Sequence, residues 1–353
     1  MKRISFIGKL LLVAAAGMFA LSCDKGNRDE DSVVSLDRAF FILNEGSYLK
    51  NNASVTRYNP ETKRVESGVF EEQNGAGLGD TGQDVLAVGD ELYISVNVSQ
   101  HIRVTDRNLK SKAVISPADA PLSPRYLCQG GGKVYVTYYE GFLGEIDPAT
   151  RAVRTVAVGP NPDGVVYANG KIYTADSGGY LDVPNTSLSV VDASSFTRTG
   201  SITVNSNPTS LVLCAGALFV YSYGSYKEGI PAKLQRVDLS TQQVTDIDYD
   251  SVSGIAARGD MLYVLCGGYD EQWNPLPGRI YKYDAARGQK AGEFVTDGTV
   301  IANAYKICAT EHFIWATASD YTNNGDVYAF NPADGKLVAK LDSKGVNPSI
   351  IVE

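Results

Sequence analysis

Apolar and polar residues alternate along this chain in short runs, each closed by a turn signal, which is the pattern of half-buried β-strands. One turn type recurs. It reads Tyr58-Asn59-Pro60-Glu61-Thr62, Thr105-Asp106-Arg107-Asn108, Ile146-Asp147-Pro148-Ala149-Thr150 and Val191-Asp192-Ala193-Ser194. It returns as Val237-Asp238-Leu239-Ser240, Tyr283-Asp284-Ala285-Ala286 and Phe330-Asn331-Pro332-Ala333-Asp334. The Asp or Asn positions lie 41 to 47 residues apart. An Asx side chain can bond the backbone two residues on, so each motif predicts a tight hairpin. A second register agrees with the first: Asp90-Glu91-Leu92-Tyr93, Gly132-Lys133-Val134-Tyr135, Gly170-Lys171-Ile172-Tyr173, Gly216-Ala217-Leu218-Phe219, Asp260-Met261-Leu262-Tyr263 and His312-Phe313-Ile314-Trp315 each end a turn and begin a strand. Asp37-Arg38-Ala39-Phe40-Phe41 fits the same place. Each unit therefore carries four short strands, and repeats of this length and strand count are blades of a β-propeller. Both registers count seven.

The two ends of the repeat array complement each other. Asn347-Pro348-Ser349-Ile350-Ile351-Val352 copies the first strand of a unit, as in Asn161-Pro162-Asp163-Gly164-Val165-Val166 and Asn207-Pro208-Thr209-Ser210-Leu211-Val212. The array itself opens at a second strand, Ala39 to Asn44. The expected fold is thus all-β, a seven-bladed propeller over 38–353 closed by pairing the C-terminal strand into the N-terminal blade, which removes an exposed edge.

Composition narrows the function classes. In 353 residues there are 40 acidic and 32 basic side chains, a net charge of −8 that argues against a nucleic-acid scaffold, since phosphate neutralisation needs clustered Lys and Arg. Two His leave little for histidine-rich metal sites. Tyr is the outlier, 21 against 11 Phe, and Tyr offers a flat apolar face with a wettable tip. Cys128, Cys214, Cys266 and Cys308 are expected as free buried thiols, because similar positions in separate repeats lie too far apart to bridge.

Residues 1–22 read as an export signal: a basic start at Lys2-Arg3, an apolar run to Ala20, then Ala20-Leu21-Ser22-Cys23. The Cys resembles that of a bacterial lipobox, although lipoboxes usually place Leu where Ala20 stands and a smaller residue where Leu21 stands. The resemblance implies acylation at Cys23 and a lipid anchor. Residues 23–37 then form a polar tether, whose Asp29-Glu30-Asp31 resembles the surface-export signal of Bacteroidetes lipoproteins.

The loops after the second strands are expected on one face of the ring, and there Tyr, Asn and Gln gather: Tyr48 with Asn51, Asn97 with Gln100, Tyr138-Tyr139, Tyr180, Tyr223 with Tyr226, Tyr269 with Gln272-Trp273-Asn274, and Tyr321 with Asn323. The connections into the first strands add Gln83, Arg125, Tyr126, Asn303 and Tyr305 to that face. Rigid aromatic area plus adaptable hydrogen-bond groups is the composition of a binding surface. With Arg125 and Lys227 as the cations suited to charge recognition, the expected ligand is sizeable, polar and flat in part rather than a lone anion. The expected contacts are Tyr48, Asn97, Arg125, Tyr139, Tyr180, Tyr226, Tyr269, Trp273, Tyr305 and Tyr321.

Catalytic signals are thin, and no catalytic residue or metal site is expected. His101 lacks an evident Cys or Ser partner, and His312 falls at the opposite end of its repeat. Asp246-Ile247-Asp248-Tyr249-Asp250 opens like an EF-hand loop but lacks its Gly and distal Glu. A glycoside hydrolase or lyase would need two carboxylates at working separation, with Glu45, Glu140, Asp176, Asp270 and Asp320 as candidates. A glycan- or protein-binding propeller would use the same face as any other binder.

Across most of residues 38–353 the chain resembles the YncE-like propeller lipoproteins of gut Bacteroidetes, and within them the BtuG-type corrinoid-binding surface lipoproteins. The residues carrying this are Ile42-Leu43-Asn44-Glu45-Gly46, Asn52-Ala53-Ser54-Val55, Gly79-Asp80 followed by Gln83, and Ser123-Pro124-Arg125-Tyr126. The resemblance implies an outer-membrane, surface-exposed lipoprotein. It would hold cobalamin on the loop face, as transported ligand rather than cofactor, and deliver it to a TonB-dependent transporter.

Overall fold

The strands that start each repeat's second register, such as Phe40-Phe41-Ile42-Leu43, are nearly continuous apolar runs because both their faces are covered. A computed structural model describes residues 39–117, 121–179, 184–269 and 274–353, all within the compact unit Val34–Glu353. The expected export signal, Cys23 and the tether lie outside the described residues. Twenty-eight strands, β1–β28 in chain order, form seven four-stranded antiparallel sheets. The first blade has the order β28 (Pro348–Val352), β1 (Phe40–Asn44), β2 (Ser54–Asn59), β3 (Arg64–Glu66). The others follow the chain without crossovers, opening with the innermost strands β4 (Gly82–Val88), β8 (Pro124–Gly130), β12 (Pro162–Ala168), β16 (Pro208–Cys214), β20 (Val252–Arg258) and β24 (Ala304–Ala309). Each innermost strand packs beside those of both neighbouring blades, and the circuit closes from β28 back to β4.

Closure follows the strand pairing expected from the sequence. β28 pairs antiparallel with β1, placing Phe41 opposite Val352, Ile42 opposite Ile351 and Leu43 opposite Ile350. Ile351 is buried, and a side chain of this kind contributes roughly 1.5–3 kcal/mol on burial. The core is divided into seven apolar clusters, each between two neighbouring blades. Phe40 and Ile42 of β1 pack against Trp315 and Val327 of the seventh blade, while Phe41 and Leu43 pack against Leu92 and Ile94 of the second. Alternate residues of one strand thus serve two interfaces, as period-two geometry requires.

Every recurring Asx turn forms. Asn59, Asp147, Asp192 and Asp238 each accept from the backbone N–H groups two and three residues on, Asp106 and Asn331 from the second, and Asp284 from the third. One element departs from the all-strand pattern. Between the first and second blades, Val69–Asn74 makes a short helix, α1, flanked by left-handed Gly68 and Gly75. Val69 and Phe70 fill the adjacent core cluster, and Asn74 bonds Leu109 O and Ser111 N. The four thiols among the described residues are free; three are buried and Cys128 is half-buried.

Candidate functional site: the loop face and central cavity

The residue before each innermost strand builds the shared face. In six blades it adopts a left-handed backbone: Thr81, Asn161, Asn207, Ser251, Asn303 and Asn347, with φ between 46° and 58°. Asn tolerates this conformation better than most residues, which accounts for the repeated Asn-Pro. Its carbonyl then accepts the N–H that opens the loop after the second strand, at 2.8 to 3.3 Å in all seven blades, from Asn97 to Thr81 through Glu45 to Asn347. The variable loops and the inner-strand connections are therefore tied together on one side of the ring. Each innermost strand also carries a register shift within its first residues. Such bulges re-aim side chains.

The third residue of every innermost strand lines one central cavity of about 460 Å³. Around the ring these are Asp84, Tyr126, Gly164 and Ser210, then Gly254, Lys306 and Ile350. The glycines mark close approach: a Cβ at Gly164 would lie 2.8 Å from Thr209 O of the next strand. Among the described residues lining the cavity, Asp84 is the one acid and Lys306 the one cation. Burial pushes the Asp84 pKa up to about 7, although its carboxylate accepts from Leu127 N at 2.7 Å and Val85 N at 2.8 Å.

Lys306 differs in kind. Its ammonium lies 5.2 Å from the Tyr305 ring centroid and makes no hydrogen bond or ion pair among the described residues. Tyr126 above all, then Tyr305, Glu45 and Asp163, hold its pKa above the ordinary value against the cost of burial.

The second residues of the same strands form a supporting layer. Arg125 donates from Nε to Asp163 Oδ1 at 2.7 Å and from Nη1 to Gln83 Oε1 at 2.9 Å, joining three blades. Burial works against its charge, yet Asp163 raises its pKa further. Across the ring, Tyr305 donates to Glu45 Oε2 at 2.7 Å. Burial raises the Glu45 pKa, and Lys306, Tyr305 and Arg125 draw it partly back.

Of the ten expected contact residues, the cavity gathers Tyr269, Tyr305 and Tyr321. Tyr321 meets Tyr305 edge to face at 5.6 Å and is held at φ +65°, an uncommon backbone for so bulky a residue. Tyr48 and Tyr226 stand on the loops, 72% and 88% exposed. Arg125 is engaged by Asp163 and Gln83, with the Tyr139 ring centroid 5.5 Å from its guanidinium. Asn97 bonds Pro124 O at 3.1 Å, a framework contact. Tyr180 and Trp273 lie outside the described residues. Sequence reasoning did not single out Lys306, Tyr126 or Tyr223 as contacts. Their signal is the register: aligning the seven innermost strands puts Tyr126 and Lys306 at the same third position, and Tyr223 opens its loop.

The other chemical candidates are occupied, apart from Asp270, which lies outside the described residues. His101 bonds Ser99 O at 2.9 Å and accepts from Arg103, and burial lowers its pKa. His312 pairs with Glu353. Asp176 is buried among the hydroxyls of Thr174, Ser187 and Ser189. Asp320 caps its own loop through Thr322 N and Asn323 N, and Glu140 accepts from Ser123 N. Asp246 is bonded by Lys233 and Gln235.

A family described as "Domain of unknown function (DUF5074)" matches residues 38–346. The chain belongs to that family. No curated protein matches it. Among solved structures it is similar to the Kuenenia stuttgartiensis hydrazine synthase, 14% identical over 74% of this chain and 86% of that one, with a TM-score of 0.59. The computationally designed Ika8 protein is 11% identical over 88% and 90%, TM-score 0.58. The Neurospora crassa Pan2 WD40 domain is 10% identical over 72% and 78%, TM-score 0.54. At these identities the likeness is one of fold, and the DUF5074 chain shares with them a propeller scaffold.

Proposed function

We propose that the protein is a binding module whose loop face captures a corrinoid such as cobalamin for passage to a TonB-dependent outer-membrane transporter, with the chain anchored at the cell surface through Cys23. The observation that carries binding is the placement of exposed aromatic area. Tyr48, Tyr223, Tyr226, Tyr269 and Tyr321 are the large tyrosines left most open to solvent among the described residues, and all five belong to the loops of one face. Exposed rings gathered beside a cavity are the anatomy of a ligand site. A corrin is flat, edged with amides and larger than the 460 Å³ cavity, so it would lie across the tyrosines and dip one group inward. Isothermal titration with cyanocobalamin tests this: saturable heat, weakened in Tyr269→Ala and Tyr321→Ala, is expected, and no heat at micromolar protein removes the corrinoid. Co-purification with an outer-membrane transporter tests delivery.

One observation favours a second reading, a carbohydrate-active hydrolase or lyase. Asp84 lines the cavity with its pKa raised to about 7, and the Glu45 pKa is raised too, as a general acid requires. Release of reducing ends from a glycan panel, lost in Asp84→Asn, would support it.

A further inference from the structure

We propose that the central cavity is a site for a monoanionic group, a carboxylate or phosphodiester on an apolar body, with Lys306 as its counter-ion. The geometry favours a ligand over a purely structural role for this lysine. It projects from the third position of β24, where the corresponding residue of every other blade also lines the cavity. Its ammonium has neither a hydrogen-bond acceptor nor an ion-pair partner among the described residues, only the Tyr305 ring at 5.2 Å. The surrounding acids and phenols favour the charge at a distance, but its N–H donors lack an acceptor among the described residues and are left for a guest.

The acids nearby are committed elsewhere. Asp163 is engaged by Arg125, Glu45 accepts from Tyr305, and Asp84 accepts two backbone N–H groups. The charge of the guest follows from the donor count. One free ammonium balances one negative charge. A phosphate dianion wants a cluster of donors such as an arginine fork, and Arg125 is already spent on Asp163 and Gln83. The body of the guest follows from the walls, where Leu127, Val165, Leu211, Ile255 and Ile307 alternate with phenols and hydroxyls. A volume of about 460 Å³ is that of a small-molecule pocket.

The site does not depend on the corrinoid proposal. Its test uses the full chain with 3-phenylpropionate, diphenyl phosphate and the neutral 3-phenylpropionamide, read by calorimetry on wild type, Lys306→Met and Lys306→Gln. The acids are expected to bind wild type, with the amide roughly tenfold or more weaker, the worth of a hydrogen bond to a charged group. Both variants should lose that preference while remaining folded. Whichever acid binds more tightly identifies the carboxylate or the diester as the preferred group.

Equal binding of acid and amide by wild type overturns the proposal, as does undiminished acid binding by the variants or failure of both acids to bind in the millimolar range. If both variants melt markedly lower and bind as wild type does, Lys306 is a structural partner of Glu45 and the proposal fails. Acids that bind while cyanocobalamin does not would remove the corrinoid alone.

Discussion

Arg125 and Lys306 stand one register position apart on the innermost strands of the third and seventh blades, and their charges are treated in opposite ways. Arg125 is forked onto Asp163 and tied to Gln83, so the charge is used to bind three blades together. Lys306 faces the cavity with an aromatic ring beside it and no oxygen partner among the described residues. One side of the ring has its polar groups satisfied by the protein. The other keeps a charge in hand. A register shift near the start of every innermost strand brings the third residue of each blade to the cavity, while Gln83, Arg125 and Asp163 at the second position form a supporting layer.

The largest effect that sharpens this contrast is expected for Arg125→Ala. It leaves the Asp163 carboxylate buried without its partner, a loss of roughly 3–5 kcal/mol in stability, read from denaturant melts. An effect below about 1 kcal/mol would mean that Arg125 is as uncommitted as Lys306. Asp84 comes next. Its pKa is raised from 3.8 to about 7 in the folded state, so the native protein holds the proton more tightly than the unfolded chain. Its stabilising contribution is full below pH 4 and is lost as pH rises through about 7. Each pH unit in that window is worth up to about 1.4 kcal/mol. Asp84→Asn should flatten the fall in stability between about pH 4 and 7 relative to wild type, whatever the variant's absolute stability.

Lys306→Met removes a charge that Glu45 and Asp163 favour at a distance but that no hydrogen bond holds, so it should destabilise by less than Arg125→Ala does in the same melts. A loss as large as that of Arg125→Ala would erase the difference between the two cations. The smallest effect is expected at the mouth. Tyr321→Gly relieves a left-handed backbone but frees the unfolded chain and gives up the contact with Tyr305, so stability should change by less than about 1 kcal/mol. The same change should weaken binding of the proposed ligand, so calorimetry would move while melting hardly does.

The blades, their hairpins and the closing strand are legible in the sequence because turn chemistry is local. An Asp or Asn bonds a backbone N–H two or three residues away, and Asn-Pro marks a strand start wherever it falls. The helix α1 is less so, because it is set by two glycines and by a cluster that Phe70 completes from a neighbouring blade. The loop tyrosines are legible as a face, since the repeat register assigns them to one side. What each does there is not. Arg125 looks available until Asp163, 38 residues on, is seen beside it. Lys306 looks like an ordinary strand lysine until seven strands are superposed and its position is found to be the one that faces inward. Cys128 ends half-buried rather than buried, where the stacked pair Tyr135 and Tyr167 packs with it in the same cluster.

The ring is closed by β28, which follows every other strand in chain order and supplies Ile350 to the cavity wall. The pocket is therefore complete only when β28 is docked against β1. Six blades and most of a seventh can be folded while the cavity still has a gap in its side, and only the arrival of β28 makes it whole. A guest seated against Ile350 would hold the closing strand in place.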